Sequence, residues 1–117
     1  MTENILLEKA LAFAVRIVNL HKFLEGEQNE KIMSKQILRS GTSIGANVNE
    51  ANYGQSRADF AAKMQIALKE TAETEYWIRL LALTGYIDEK SSESMLSDCL
   101  SIKRLLISTI KTTKENE

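Results

Sequence analysis

Apolar residues recur at three-and-four spacing through four long segments of this chain, and no proline breaks any of them. That spacing belongs to helices with one buried face. Without proline, nothing removes a backbone donor inside those segments. The first segment carries Leu6, Ala10, Phe13, Ile17, Leu20 and Leu24, widened by Leu7, Leu11, Ala14 and Val18. The second carries Met33, Ile37, Gly41, Ile44, Val48 and Ala51. The third carries Phe60, Met64, Ala67, Thr71, Ile78 and Leu81, extended by Ile66, Trp77 and Leu80. The fourth carries Met95, Cys99, Ile102, Leu106 and Ile110, broadened by Leu96, Leu100, Leu105 and Ile107.

Punctuation between the stripes places four helices at about 4–24, 30–53, 57–84 and 89–114. Gly26 can close the first in a left-handed cap, and Asn29 can cap the second. Ser56 followed by Asp59 approximates a capping box for the third. Gly85, with Ile87 after it, fits a glycine-ended helix, and Asp88 can then cap the fourth. Lys111 and Lys114 suit the negative end of that helix, and the last residues, being polar, are expected to fray. Connections this short make successive helices antiparallel neighbours. The expected fold is all-α, an antiparallel up-down-up-down four-helix bundle forming one domain over residues 1–117.

The second helix is the unusual one. A purely local reading would break it at Ser40-Gly41-Thr42, because each interior glycine costs about 1 kcal/mol against alanine. The apolar period nevertheless continues unshifted through Gly41 and Gly45, so the helix is expected to be continuous, with packing offsetting the cost. At about 100° per residue, Ser40, Ser43, Asn47 and Glu50 fall within roughly an 80° arc beside the apolar stripe, and Gln36 and Arg39 extend it. This stripe has two readings. One is a wetted helix face. The other is a seam, within the bundle or between subunits, where Gly41 and Gly45 allow close approach and Ser43, Asn47 and Glu50 find partners across it. Tyr76-Trp77-Ile78 is a second feature, since three successive bulky residues point about 100° apart. Either the core and its rim absorb all three, or Tyr76 or Trp77 meets another subunit or partner.

Composition excludes several functions. Fifteen basic residues against sixteen acidic ones give no excess of the kind a polybasic nucleic-acid binder carries. One cysteine, Cys99, allows no intrachain disulfide and fits a reducing cytoplasm. Its place on the apolar stripe marks it as an inert core residue. The first residues read as no signal peptide. No apolar run reaches the ~20 residues that span a bilayer, so no membrane association is expected. His21 is alone, which with one distant cysteine makes no metal set. It reads as a partly exposed residue near a helix end. The glycines match no phosphate-binding motif. Glu70, Glu73 and Glu75 lack the histidines of a di-metal bundle. They read as solvated residues or as partners of Lys69 and Arg79, with Glu75 and Arg79 at i,i+4 spacing. No catalytic residues, no cofactor and no metal are expected.

The run QILRSGTSIGANVNEA over Gln36–Ala51, followed by Phe60 and MQIALKETAETEYWIRLL, resembles the four-helix-bundle proteins encoded by intervening sequences of bacterial 23S rRNA genes. The resemblance covers nearly the whole chain. Glu50-Ala51 stands where many members read Glu-Gly, and a proline common after the Phe23 region is missing. The resemblance implies an all-α protomer and a homo-oligomer. A pentameric ring is implied through the related accessory protein of diversity-generating retroelements, together with a nucleic-acid connection. Two functions are therefore carried forward. The first is a non-enzymatic, self-assembling scaffold or binding module. The second is a binder of structured RNA or of a nucleic-acid-associated protein, with candidate contacts Lys35, Arg39, Lys63, Lys69, Lys103, Arg104, Lys111 and Lys114.

Overall fold

A computed structural model describes residues 2–115, with side chains from residue 5 onward. It contains four α-helices: α1 (Thr2–Gly26), α2 (Met33–Ala51), α3 (Arg57–Leu83) and α4 (Glu89–Glu115). No strand occurs among the described residues. The principal extents are 47 × 21 × 19 Å. No helix among the described residues is long and apolar enough to cross a membrane. The fraying expected of the final residues concerns 116 and 117, which lie outside the described residues.

The four apolar stripes meet in one core. Phe13, Ile17, Ile37, Ile44, Met64, Ile78, Ile102 and Leu106 are fully buried in it or within a per cent of that. Each such side chain contributes about 1.5–3 kcal/mol by leaving water. Leu20, Met33 and Phe60 sit at the core's edge rather than inside it. Consecutive helices pack most densely, while α1 and α4 share the sparsest seam. Contacts run in opposite directions along neighbours. Gly41 lies over Ile17 and Gly45 over Ala10, so moving up α2 means moving down α1. Likewise Arg39 reaches Glu73, whereas Glu50 reaches back to Lys63.

Three of the five expected helix caps stand where the sequence places them. Ser56 Oγ accepts from the Asp59 amide at 3.0 Å, and Asp59 Oδ2 accepts from the Gln55 amide at 3.2 Å. Gly85 adopts φ 84°, which lets the Tyr86 amide return to the Leu81 carbonyl at 2.9 Å. Asp88 Oδ1 accepts from the Ser91 amide at 2.7 Å, capping α4.

The α1–α2 connection corrects two expectations. Gly26 is not the left-handed residue. Asn29 is, at φ 52°, and this turns the Glu30 amide back to the Leu24 carbonyl at 2.8 Å. Asn29 therefore does not cap α2, which begins only at Met33. The side chain of Glu30 does that work, accepting from the Ser34 amide at 2.9 Å. Asparagine tolerates the left-handed region well enough to end a helix as well as start one. That is why its position alone did not decide between the two roles.

Candidate functional site

Helix α2 is continuous through both glycines, and it uses two of its faces at once. Gly41 is buried and faces Ile17 of α1. Gly45 faces the backbone and Cβ of Ala10, one turn further along. The small residues thus let α1 and α2 approach closely within one protomer. A side chain of any size at Gly41 would meet three carbons of Ile17.

The polar stripe turns the other way, toward α3. Arg39 forms ion pairs with Glu70 at 3.1 Å and with Glu73 more closely still. Trp77 Nε1 donates to Glu73 Oε2 at 3.0 Å. Glu73 is held below the usual carboxylate range, first by the Arg39 hydrogen bond and then by that from Trp77. Deeper in, the hydroxyls of Ser40 and Thr74 lie 2.9 Å apart, both fully buried. Thr74 Oγ1 also lies 2.8 Å from the Glu70 carbonyl. One hydroxyl carries one proton, so a chain from Ser40 to Thr74 to that carbonyl satisfies both groups. Glu50 closes the stripe by pairing with Lys63 at 3.8 Å.

Ser43 and Asn47 do not join this network. Asn47 Nδ2 donates back to the Ser43 carbonyl at 2.9 Å within α2, and both residues are half-buried. The assignment of Glu70 and Glu73 to Lys69 and Arg79 is corrected. Both acids belong to Arg39, because they share the α2-facing side of α3. Glu75 does pair with Arg79, at 3.9 Å, and more closely with Lys103 of α4 at 2.5 Å.

Of the two aromatic candidates, Trp77 packs against the core edge and only Tyr76 projects, 58% exposed and edge-on to the Trp77 ring. Trp77 is therefore absorbed within the protomer. The basic candidates are not gathered at one point. Arg39, Lys63 and Lys103 are taken up in ion pairs. Lys35, Lys69, Arg104, Lys111 and Lys114 are exposed, the last two beside a trough floored by Leu68, Ile107 and Ile110.

Several chemically capable groups are quiet. Cys99 is fully buried, and its thiol is pushed up to about 12, chiefly by burial and then by the charges of Glu75 and Asp98. His21 places Nδ1 3.1 Å from the Ser34 carbonyl and Nε2 3.5 Å from Glu25, tying α1 to the start of α2. Among the described residues no three of His, Cys, Asp and Glu stand together as a metal set.

Two residues escaped sequence reasoning, Thr74 opposite Ser40 and Arg16. Arg16 spans the sparse α1–α4 seam, with Nη1 2.6 Å from Asp98 and Nη2 donating to Ser94 at 3.1 Å. Its only sequence signal is a lone arginine beside the apolar stripe of α1. The outer face of α1 is also apolar. Leu11 is 64% and Val15 55% exposed, with half-buried Leu7, Ala14 and Val18 around them.

Comparison with known proteins bears on this arrangement. The family model described as 23S rRNA-intervening sequence protein matches residues 2–108. A crystal structure of a protein with unknown function from the S23 ribosomal protein family of Bacteroides thetaiotaomicron VPI-5482 superposes with a TM-score of 0.94. It is 60% identical over 95% of this chain and 99% of that chain. Among curated proteins, none matches.

Proposed function

The chain belongs to the 23S rRNA-intervening sequence protein family, and from that membership we propose that it is a non-enzymatic, self-assembling helical bundle that serves as a scaffold or binding module. The opposed registers of α1 against α2 and α2 against α3 support an up-down-up-down protomer. The observation that carries the assembly reading is the outer face of α1, where Leu11 and Val15 stand in water beside Leu7 and Val18. Arg39, Ser40 and Glu50 of α2 are taken up within the protomer, and the outer face of α1 has apolar area to gain from a second copy. Covering a large aliphatic side chain contributes about 1.5–3 kcal/mol. A closed ring repeats such a contact without leaving an open end, and five subunits is the number the resemblance implies. The unpaired Cys99 supports a cytoplasmic setting.

Light scattering on the purified chain tests this. The expected result is a multiple of 13.2 kDa, reduced to a folded monomer by Leu11→Glu with Val15→Glu. A wild-type chain that is monomeric at micromolar concentration overturns it.

A second reading, binding of structured RNA, is favoured by exposed Lys69, Arg104, Lys111 and Lys114 on α3 and α4. A ring would repeat that set in every subunit. Binding of this kind weakens steeply with salt, so a mobility shift with structured RNA should appear at low salt and vanish with Lys111→Glu and Lys114→Glu. No shift at low salt removes this reading.

A further inference from the structure

We propose that the apolar strip on the outside of α1 docks on the outside of α4 in a second copy of this chain, so that copies join head to tail. This rests on the assembly reading above and names the surface that the α1 face meets.

The helices stand in a square, with α1 packed on α2 and α4, and α3 on α2 and α4. Around α1, Ile17 and Ala10 turn toward α2 and Arg16 toward α4. At about 100° per residue, Leu7, Leu11 and Val18 lie roughly 100° beyond Ile17, on the side away from Arg16. Around α4, Asp98 turns toward α1 and Lys103 toward α3. Leu96, Leu100 and Ile107 lie about 20–60° beyond Lys103, away from Asp98. One protomer thus carries two apolar strips that point in opposite directions across the bundle. Leu100 is 44% and Ile107 50% exposed, against 64% and 55% for Leu11 and Val15. Neither strip can cover the other within one chain, but each can cover the other in a neighbouring copy.

The strips match in length and level. Leu7 to Val18 and Leu96 to Ile107 are each eleven steps, or about 16 Å. Arg16 meets Asp98 while Lys9 lies beside Leu105, so α1 and α4 run in opposite directions. Counted from the Arg16–Asp98 pair at equal rise, Leu7 stands level with Ile107 and Val18 with Leu96. A rotation about an axis parallel to the helices carries one copy to the next without sliding it, so these levels hold between copies.

Charge agrees with that register. Lys22 follows the α1 strip at the level of Ser92, one residue from Glu93, which precedes the α4 strip, and both charges are exposed. At the other end, exposed Glu8 falls between the levels of Arg104 and Lys111. Lys103 and Arg79 stand beside the α4 strip, and both pair with Glu75 within the protomer. An α1 strip paired with its own copy across a two-fold axis would also bring Glu8 toward Lys22, but it would leave the α4 strip in water.

The test breaks one strip at a time in the full chain, with Leu11→Glu plus Val15→Glu in one variant and Leu100→Glu plus Ile107→Glu in the other. Circular dichroism checks that both stay folded. By analytical ultracentrifugation each variant alone should be a monomer, and an equimolar mixture should form a 1:1 dimer through the one intact strip that each partner retains. An α4 variant that still assembles, or a mixture that yields no dimer, overturns the head-to-tail contact while leaving the assembly reading intact. A monomeric wild-type chain overturns both. Charge reversal tests the register without touching the strips. Lys22→Glu and Glu93→Lys should each weaken association about two- to fivefold, and the two together should restore it. Additive weakening in the combined variant overturns the pairing.

Discussion

Gly41 of α2 stands so close to Ile17 of α1 that a Cβ on it would fall 2.6 Å from Cγ1 and 2.8 Å from Cγ2 of that isoleucine. Ile17 is fully buried, and a β-branched side chain in a helix has essentially one rotamer. It has nowhere to go. Gly41→Ala should therefore cost about 1–3 kcal/mol of overpacking, more than the ~1 kcal/mol that alanine returns in helix propensity. Gly45→Ala should behave oppositely, because its Cβ would meet Ala10 at an ordinary 3.6 Å. Urea midpoints moving in opposite directions for these two variants would establish that only one glycine is sterically required. Equal shifts would refute it.

The Ser40–Thr74 pair makes a second prediction. Thr74→Val preserves shape and leaves the Ser40 hydroxyl buried, with only the Ile37 carbonyl at 3.5 Å. An orphaned buried hydroxyl costs about 1–3 kcal/mol. Ser40→Ala added to Thr74→Val removes the orphan and should recover part of the loss. Denaturation of the two single variants and the double variant checks this, and simple additivity would show that the hydroxyls are uncoupled.

Acid should act partly through Glu73. Its folded pKa lies below the reference 4.5 because Arg39 and Trp77 donate to it. A depressed carboxyl contributes stability above its unfolded value and loses it as pH falls through the folded one. The Glu73 share is thus complete at neutral pH and declines below about 4.5. Glu73→Gln should lower stability at pH 7 and flatten the acid limb of the stability profile. An unchanged profile from pH 7 to 3 would mean that the Arg39 bridge contributes nothing, as exposed ion pairs often do.

Cys99 should be silent toward thiol reagents in the native chain. With its thiol pushed up to about 12, the thiolate fraction at pH 8 is roughly a thousandfold below that of a free cysteine. Reaction with Ellman's reagent is expected to be slow natively and immediate in denaturant. Fast native labelling would place the thiol outside the core.

The four helices and the core were legible because burial writes itself as a period. Ile37, Ile44 and Val48 share one angular position, and all three are buried. The continuity of α2 was legible for the same reason. Direction was harder to read. Gly41 and Ser40 are adjacent in sequence yet serve α1 and α3 respectively, and only the packing of all three helices assigns them. Long-range ion pairs were not legible at all. Arg39 could not be joined to Glu70 and Glu73, nor Arg16 to Asp98, because register between helices leaves no mark in either segment. At the α1–α2 connection, Gly26 and Asn29 both satisfied the rules for a cap, and the structure chose by geometry.

The sparse α1–α4 seam decides how the chain closes on itself. Each well-packed helix pair joins neighbours in sequence, so most native contacts can form with short loops, which favours fast folding. The contact that brings the two ends of the chain together is the thinnest, with Arg16 and Asp98 spanning it. Closure across that seam is therefore expected to come last, and the same seam is where the native molecule should part first. In hydrogen exchange, the facing amides of α1 and α4 should open well below the global unfolding free energy, while α2 and α3 hold to the end.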